Sequence, residues 1–192
     1  MTDVLLVLPL LTTPDFDTYA LDSLQAPIGE QVWQWGGLVR VGRGFGAPKK
    51  GSELTGYVAL GASTKAFELG EHRFDGTGWT AAFEVGPRWT WGSGAARGWA
   101  DVAGGLHLRV GLPDWSDGAW TMGVGGHGGV GVDFGSAAIR PRIGFESSLT
   151  IAPTTYTGTV QLPEGTLTWT WNASNLRAGV VMGVVFGEST GG

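Results

Sequence analysis

The chain has 192 residues and a net charge of −5, and this length is typical of a single domain. Its 35 glycines are about 18% of the 192 residues, against a usual share of about 7%. Charged residues are 15% of the chain, against an average of about 25%. The absence of cysteine excludes disulfides and thiolate chemistry, and the absence of a basic block argues against nucleic-acid binding. No run of 18 apolar residues occurs, so the sequence predicts no transmembrane helix.

Residues 1–30 differ from the rest of the chain because they hold three prolines and several acids. We interpret residues 1–30 as an N-terminal arm or plug, and the apolar run Val4–Leu8 leaves open one extra strand. No basic residue precedes this run, so it does not have the pattern of an intact signal peptide.

From Gln31 onward the hydrophobic period is two, which predicts strands and little helix. Clusters of Gly, Pro, Asp, Asn and Ser separate the strands. The predicted strands are 31–45, 53–67, 78–91, 98–111, 119–134, 137–151, 156–171 and 175–187. Pro163-Glu164-Gly165 is either a bulge within the seventh strand or a turn that divides it. Eight strands are therefore expected, with ten as the alternative, followed by a tail at 188–192.

The two faces of these strands differ sharply in side-chain size. In the strand 119–134, Trp120, Met122 and Val124 point one way, while Thr121 and Gly123 point the other, because side chains alternate along a strand. A barrel of about eight strands has a narrow interior that admits only modest side chains. The bulky apolar face is therefore predicted to be outside, as in an antiparallel up-and-down β-barrel that crosses a lipid bilayer.

Charged residues concentrate on the small-residue face, where we expect a network of Arg–carboxylate pairs across the lumen. The predicted lumen residues are Arg40, Glu84, Arg88, Asp101, His107, Arg109, His127, Asp133, Arg140, Arg142, Glu146 and Arg177.

Most tryptophans lie near strand ends, where an indole suits the headgroup level of a bilayer. The predicted interfacial aromatics are Trp33, Trp35, Trp79, Trp89, Trp91, Trp99, Trp120, Trp169 and Trp171.

Catalytic and cofactor motifs are weak in this chain. Gly123–Gly128 has the spacing of a dinucleotide fingerprint, but the strand pattern continues on both sides and no helix follows to hold a phosphate. His107 and His127 face inward on neighbouring strands and are expected to join the hydrogen-bond network instead of binding a metal. We expect no enzymatic activity and no cofactor.

The final predicted strand resembles the closing strand of small bacterial outer-membrane β-barrels of the OmpA/OmpX-like class. Gly179, Met182, Val184 and Phe186 match the glycine, alternating hydrophobics and terminal aromatic that the assembly machinery reads in that class. The resemblance is one of architecture and implies a lipid bilayer and the barrel assembly machinery as partners. If Phe186 ends in the periplasm, as in that class, the predicted strands put the short 135–136 connection outside the cell and longer connections in the periplasm. Barrels of this class usually have short periplasmic turns and longer external loops.

The expected function is that of an integral outer-membrane barrel with a plugged, charged lumen and a structural or surface-interaction role. A narrow channel is the first alternative, and it needs a water path past the charged side chains. A soluble lipocalin-like or avidin-like barrel is the second, and it needs the tryptophan-rich face to line a cavity.

Overall fold

The computed structural model describes residues 1–12, 18–21, 30–49, 51–69, 72–113, 119–135, 137–153, 155–163, 165–172 and 174–187. The strands are β1 (Thr2–Thr12), β2 (Thr18–Leu21), β3 (Glu30–Lys49), β4 (Ser52–Leu69), β5 (His72–Trp91), β6 (Ala96–Pro113), β7 (Ala119–Phe134), β8 (Ile139–Ile151), β9 (Thr155–Leu162), β10 (Gly165–Asn172) and β11 (Asn175–Phe186). No helix occurs among the described residues that is long and apolar enough to cross a membrane.

Eight of these strands form one closed antiparallel barrel in the order β1-β11-β8-β7-β6-β5-β4-β3. The predicted all-β closed barrel of eight strands is confirmed. The strand membership differs from the prediction in two places, at the beginning of the chain and at the predicted seventh strand.

The barrel includes part of the N-terminal segment that the sequence separated as an arm or plug, and the alternative of one extra strand at Val4–Leu8 is the one that the structure shows. β1 pairs with β3 from Thr2↔Arg43 to Val7↔Leu38, and with β11 from Thr2↔Phe186 onward. Barrel pairing therefore begins at Thr2 and not at Gln31, so the boundary drawn at residue 30 does not separate arm from barrel. The strand was hard to recognise because both faces are apolar over Val4–Leu8, which hides the period of two.

The predicted strand 156–171 is wrong as a barrel strand. It is divided into β9 and β10, which pair with each other and with β2 in a separate three-stranded sheet of order β2-β10-β9. Gly165, paired with Leu162, has a φ of 144°, a value that glycine adopts readily, and Pro163 lacks the N–H that a central strand needs.

Because 156–171 is not a barrel strand, each connection before it lies at the opposite end of the barrel from the one predicted. The short turns β3–β4, β5–β6 and β7–β8 now lie at the same end as Thr2 and Phe186, which we call the terminal end. The connections β1–β3, β4–β5, β6–β7 and β8–β11 lie at the opposite loop end. The placement of the 135–136 connection opposite Phe186, derived from the predicted strands, is therefore wrong. The predicted tail 188–192 lies outside the described residues.

Alternation puts large apolar side chains on the outer wall throughout the barrel. Exposed examples occur on every barrel strand, among them Leu6, Val39, Leu60, Phe83, Leu106, Val130, Phe145 and Met182. The lumen carries the charged side chains instead, so the inside and outside of this barrel are reversed relative to a water-soluble protein.

Candidate functional site

The lumen brings together the charged residues that the sequence assigned to the inner face. Eleven of the twelve are buried: Arg40, Glu84, Arg88, Asp101, His107, Arg109, His127, Asp133, Arg140, Arg142 and Glu146. Arg177 is half-buried and lines a cavity on the loop side of the network. Buried charges require partners, so the site is defined by how these groups are paired.

Asp3 is the centre of the terminal-side cluster. Its Oδ2 atom accepts hydrogen bonds from Arg88 Nη2 at 2.5 Å and from Arg142 Nη1 at 2.8 Å. Arg142 Nε and Nη2 donate to Asp133 Oδ1 and Oδ2 at 2.6 and 2.9 Å, and the guanidinium lies 4.5 Å from the centre of the Trp99 ring. One carboxylate from β1 is thus tied to arginines on β5 and β8 across the lumen.

Tyr57 connects the two levels of the network. Its hydroxyl donates to Asp101 Oδ2 at 2.9 Å and accepts from Arg88 Nη2 at 3.1 Å. The edge of the Tyr57 ring meets the His127 ring with centroids 4.9 Å apart. An aromatic side chain with a polar tip therefore fills the axis of the barrel without leaving its hydroxyl unpaired.

Glu84 is the centre of the loop-side cluster. Its two carboxylate oxygens lie 2.9 Å from His107 Nε2 and 2.7 Å from His127 Nδ1. The other nitrogen of His107 lies 2.7 Å from Thr150 Oγ1. Each imidazole is therefore fixed by the carboxylate it shares with the other.

Arg40 and Glu146 close this cluster with a bidentate pair. Arg40 Nη2 donates to Glu146 Oε1 at 3.0 Å, and Nη1 donates to Oε2. Arg40 also lies 3.9 Å from Glu84, which links the pair to the two histidines. The pair joins β3 to β8, so it reaches across the barrel and does not follow one wall.

Glycines make room for these long side chains. A Cβ atom added at Gly42 would overlap Asp3 Oδ1 and lie 2.9 Å from the Tyr57 ring. A Cβ atom at Gly125 would lie 2.5 Å from His107 Cε1. The high glycine content of the inner face therefore has a steric cause, as the sequence predicted.

One sector of the lumen is apolar, which the sequence did not predict. Leu5, Val7 and Val181 form a buried cluster with Leu38 packed against it, on strands β1, β11 and β3. Between this apolar sector and the charged residues there is a cavity of about 40 Å³ lined by Arg40, Glu84, His107, Glu146 and Arg177 among others. Such a volume holds a few water molecules.

The described charged groups of this site bond mainly to one another. Among the described residues, no group of His, Asp and Glu is placed to hold a metal ion. Glu84 lies between the two imidazoles, so the ring nitrogens bond to its oxygens and do not converge on one point.

Sequence reasoning missed three lumen residues and misplaced a fourth. Asp3 was hidden in the segment taken for an arm, while Glu53 and Tyr57 share the inward register of β4 with Thr55. Trp99, predicted to lie at a membrane interface, is 1% exposed and faces the lumen. The register of the strand contains the signal that would have found this, because Trp99 and inward-facing Asp101 are two residues apart.

Four of the predicted interfacial tryptophans lie on the outer wall: Trp79, Trp89, Trp91 and Trp120. Trp79 and Trp120 both pair with Val110, near the loop end of the barrel. Trp89 follows Trp79 by ten residues on β5 and lies near the terminal end. Ten residues at about 3.4 Å each, tilted by roughly 40°, span about 26 Å along the barrel axis. The side chains of Trp33, Trp35, Trp169 and Trp171 lie outside the described residues; the backbone of Trp169 and Trp171 is in β10, outside the barrel.

The predicted closing strand does close the barrel, between β1 and β8. Gly179 faces inward, whereas Met182 and Phe186 are exposed on the outer wall, with Val184 between them in the same register. Phe186 is the last residue of β11 and pairs with Thr2, the first residue of β1.

Comparisons with known proteins show a shared fold but no match in sequence. No protein-family model matches the chain, and no curated protein matches it in sequence. The chain is similar to the outer membrane protein OprG from Pseudomonas aeruginosa, with 9% identity, a TM-score of 0.52 and coverage of 96% of each chain. It is more distantly similar to Ail, the attachment invasion locus protein of Yersinia pestis, solved in complex with the heparin analogue sucrose octasulfate, with 11% identity, a TM-score of 0.34 and coverage of 94% of this chain and 97% of that one. The OprG match shows a shared fold, that of a small outer-membrane barrel.

Proposed function

We propose that this chain, which has the fold of a small outer-membrane barrel, is an integral protein of the bacterial outer membrane whose lumen is closed by a charged plug. The observation that carries the proposal is the pairing of the inward-facing charges across the barrel axis. An eight-stranded barrel is just wide enough for side chains to fill. The role that fits a filled barrel is structural or surface-interacting, without enzymatic activity.

The outer wall supports the membrane location. Exposed Val, Leu, Ile, Phe and Met side chains cover it on all eight strands, and tryptophans occur toward both ends. The separation of about 26 Å between the levels of Trp79 and Trp89 agrees with the roughly 25 Å apolar band of transmembrane barrels. In water, such a surface would be a large aggregation-prone patch.

The connections support one orientation. Outer-membrane barrels have short periplasmic turns and longer external loops. The terminal end has the short turns, including glycines with positive φ at Gly51, Gly92 and Gly135, so we place it in the periplasm. The loop end, with the three-stranded sheet of β2, β9 and β10, then faces outward and is the surface available to partners.

The partners in this proposal are the bilayer and the barrel assembly machinery. Met182 and Phe186 of β11 lie on the outer wall, where the closing-strand pattern needs them, and Phe186 is at the periplasmic end. Replacing Phe186 with Ser is expected to lower the amount of assembled barrel in cells, while Phe134→Ser at the end of β7 serves as the matched control.

The two alternatives make different demands on the lumen. A soluble ligand-binding barrel needs the tryptophan-rich face inside, and Trp79, Trp89, Trp91 and Trp120 are on the outer wall. A narrow channel needs a continuous water path, and the cavity of about 40 Å³ beside Arg40 is its best support.

The test is reconstitution of the purified chain into phosphatidylcholine vesicles and planar bilayers. We expect the protein to float with the vesicles, to need detergent for solubility, and to give no single-channel conductance. A monodisperse protein in detergent-free buffer would contradict the membrane location. Steady conductance steps that are lost on removing the protein would contradict the plug and favour the channel.

A further inference from the structure

The outer wall of the barrel has one described basic side chain among its apolar residues. Arg43 lies on β3, in the outward register with Val41 and Phe45, and is exposed. It pairs with Thr2 at the start of β1, which places it near the terminal end. Among the described residues, no acidic side chain forms an ion pair with it, so its charge is not used by the lumen network.

Arg43 stands at one end of a groove in the outer wall. The groove has a volume of about 520 Å³, and its floor is open at Gly104, whereas the Phe45 ring lies over Gly56. Its sides are apolar and include Val41, Val58 and Phe83. This volume is within the range of about 300–1,000 Å³ that is usual for small-molecule sites.

The position of the groove determines what it can meet. Under the proposed function, its walls face hydrocarbon, whereas Arg43 is close enough to the terminal end for its long side chain to reach the headgroup level. An arginine guanidinium binds phosphate with paired hydrogen bonds. The groove therefore combines an apolar trough with one cation at its interfacial end.

We propose that this groove, defined by Arg43, Val41, Gly56, Val58, Phe83 and Gly104, is a binding site for one anionic phospholipid of the leaflet at the terminal end. Arg43 binds the headgroup phosphate, and an acyl chain lies over Gly104 between the apolar side chains. The inference rests on the proposed membrane location and adds a specific lipid to it.

A second groove on the same wall provides an internal control. It has a volume of about 460 Å³, is lined by Val102, Val124 and Leu149 with Gly126 and Gly128 on its floor, and includes no arginine or lysine. A Cβ atom at Gly104 would meet only Gly125 O at 3.4 Å, and one at Gly128 would meet Asp101 O at 3.8 Å. A leucine can therefore fill either groove without displacing the backbone.

The experiment uses the full chain reconstituted in vesicles of equal parts phosphatidylcholine and phosphatidylglycerol, then extracted in detergent for native mass spectrometry. We expect the unchanged chain to retain one phosphatidylglycerol in preference to phosphatidylcholine. Arg43→Gln should lower that preference by about tenfold, because it removes a charged hydrogen-bonding group. Gly104→Leu should reduce retention of both lipids, and Gly128→Leu should leave the preference for phosphatidylglycerol unchanged.

Vesicle flotation of the same samples separates the two proposals. If the unchanged chain does not insert, the membrane location is wrong. If all variants insert and Arg43→Gln keeps the full preference for phosphatidylglycerol, the lipid site is wrong. Equal loss of lipid in Gly104→Leu and Gly128→Leu would also overturn it, as would a bound second copy of the chain in place of lipid.

Discussion

The lumen has two sectors that are stabilised in different ways. The charged sector is a network in which Asp3, Arg142, Glu84 and their partners bond across the axis. The apolar sector packs Leu5, Val7 and Val181 where the first and last strands meet. The charged sector depends on having every partner present, whereas the apolar sector depends on close packing, so mutations in the two should differ in kind.

The largest effect is expected from Asp3→Ala. This change leaves Arg88 and Arg142 without the carboxylate that they share in the barrel interior. Removing one partner of a buried ion pair typically costs about 3–5 kcal/mol. Urea unfolding in lipid vesicles measures the change, and the double variant with Arg142→Leu should lose less than the two single changes added together. A cost below about 1 kcal/mol would mean that water, and not Asp3, solvates these arginines.

The second effect compares the lumen with the outer wall. Val130→Arg puts a charge on the outward face of β7, where a cost of about 2–4 kcal/mol is expected near the middle of a bilayer. Phe134→Arg, at the end of the same strand, should cost about 0–1 kcal/mol because its charge reaches the interface. The free energy of unfolding in vesicles gives both values. Equal costs at the two positions would contradict the proposed position of the bilayer.

The inward neighbour of Val130 responds to a different force. Gly129→Arg should destabilise the barrel through crowding, because even a Cβ atom added there would lie 2.9 Å from Asp101 Oδ1 and 3.0 Å from the Trp99 ring. Its cost should therefore persist when the lipid is replaced by detergent micelles. A cost that varies with bilayer composition would show that position 129 faces the lipid and not the lumen.

A matched pair of substitutions tests the two sectors directly. Val181→Thr puts a hydroxyl into the apolar sector, where it has no partner, and should cost about 1–3 kcal/mol. Thr121 is buried in the charged sector, where it is paired with Arg109 of β6. Thr121→Val removes a hydroxyl that makes no hydrogen bond among the described residues, so it should be neutral or slightly stabilising. Thermal unfolding in detergent compares the two variants. If both substitutions lowered the stability, or both raised it, the two sectors would not be stabilised in different ways.

The smallest effect is expected outside the barrel. Thr166→Val removes the hydrogen bond that Thr166 Oγ1 donates to Gln161 Oε1 at 2.9 Å on the exposed three-stranded sheet. The change should alter the free energy of unfolding by less than about 0.5 kcal/mol. A larger loss in the same unfolding experiment would show that this sheet is cooperative with the barrel.

The sequence by itself determined the faces of the strands. Alternation in a strand is a local property of the backbone, so the inward register of Arg88, Asp133 and Glu146 could be predicted without knowing any neighbour. The closed barrel followed from the same pattern, because a narrow interior admits small residues and an outer wall admits large ones. The count of eight agreed because the missed β1 offsets the wrongly included segment 156–171.

Only the tertiary structure decided which strands close the barrel and which charges meet. The Val4–Leu8 part of β1 is apolar on both faces because Leu5 and Val7 pack inward on Val181, a contact between residues far apart in the chain that no local period reveals. The segment 156–171 alternates as well as any barrel strand, but its central turn directs it into another sheet. Pairing partners such as Asp3 and Arg142 depend on the register of all the strands between them, and register is fixed by the closure of the whole sheet.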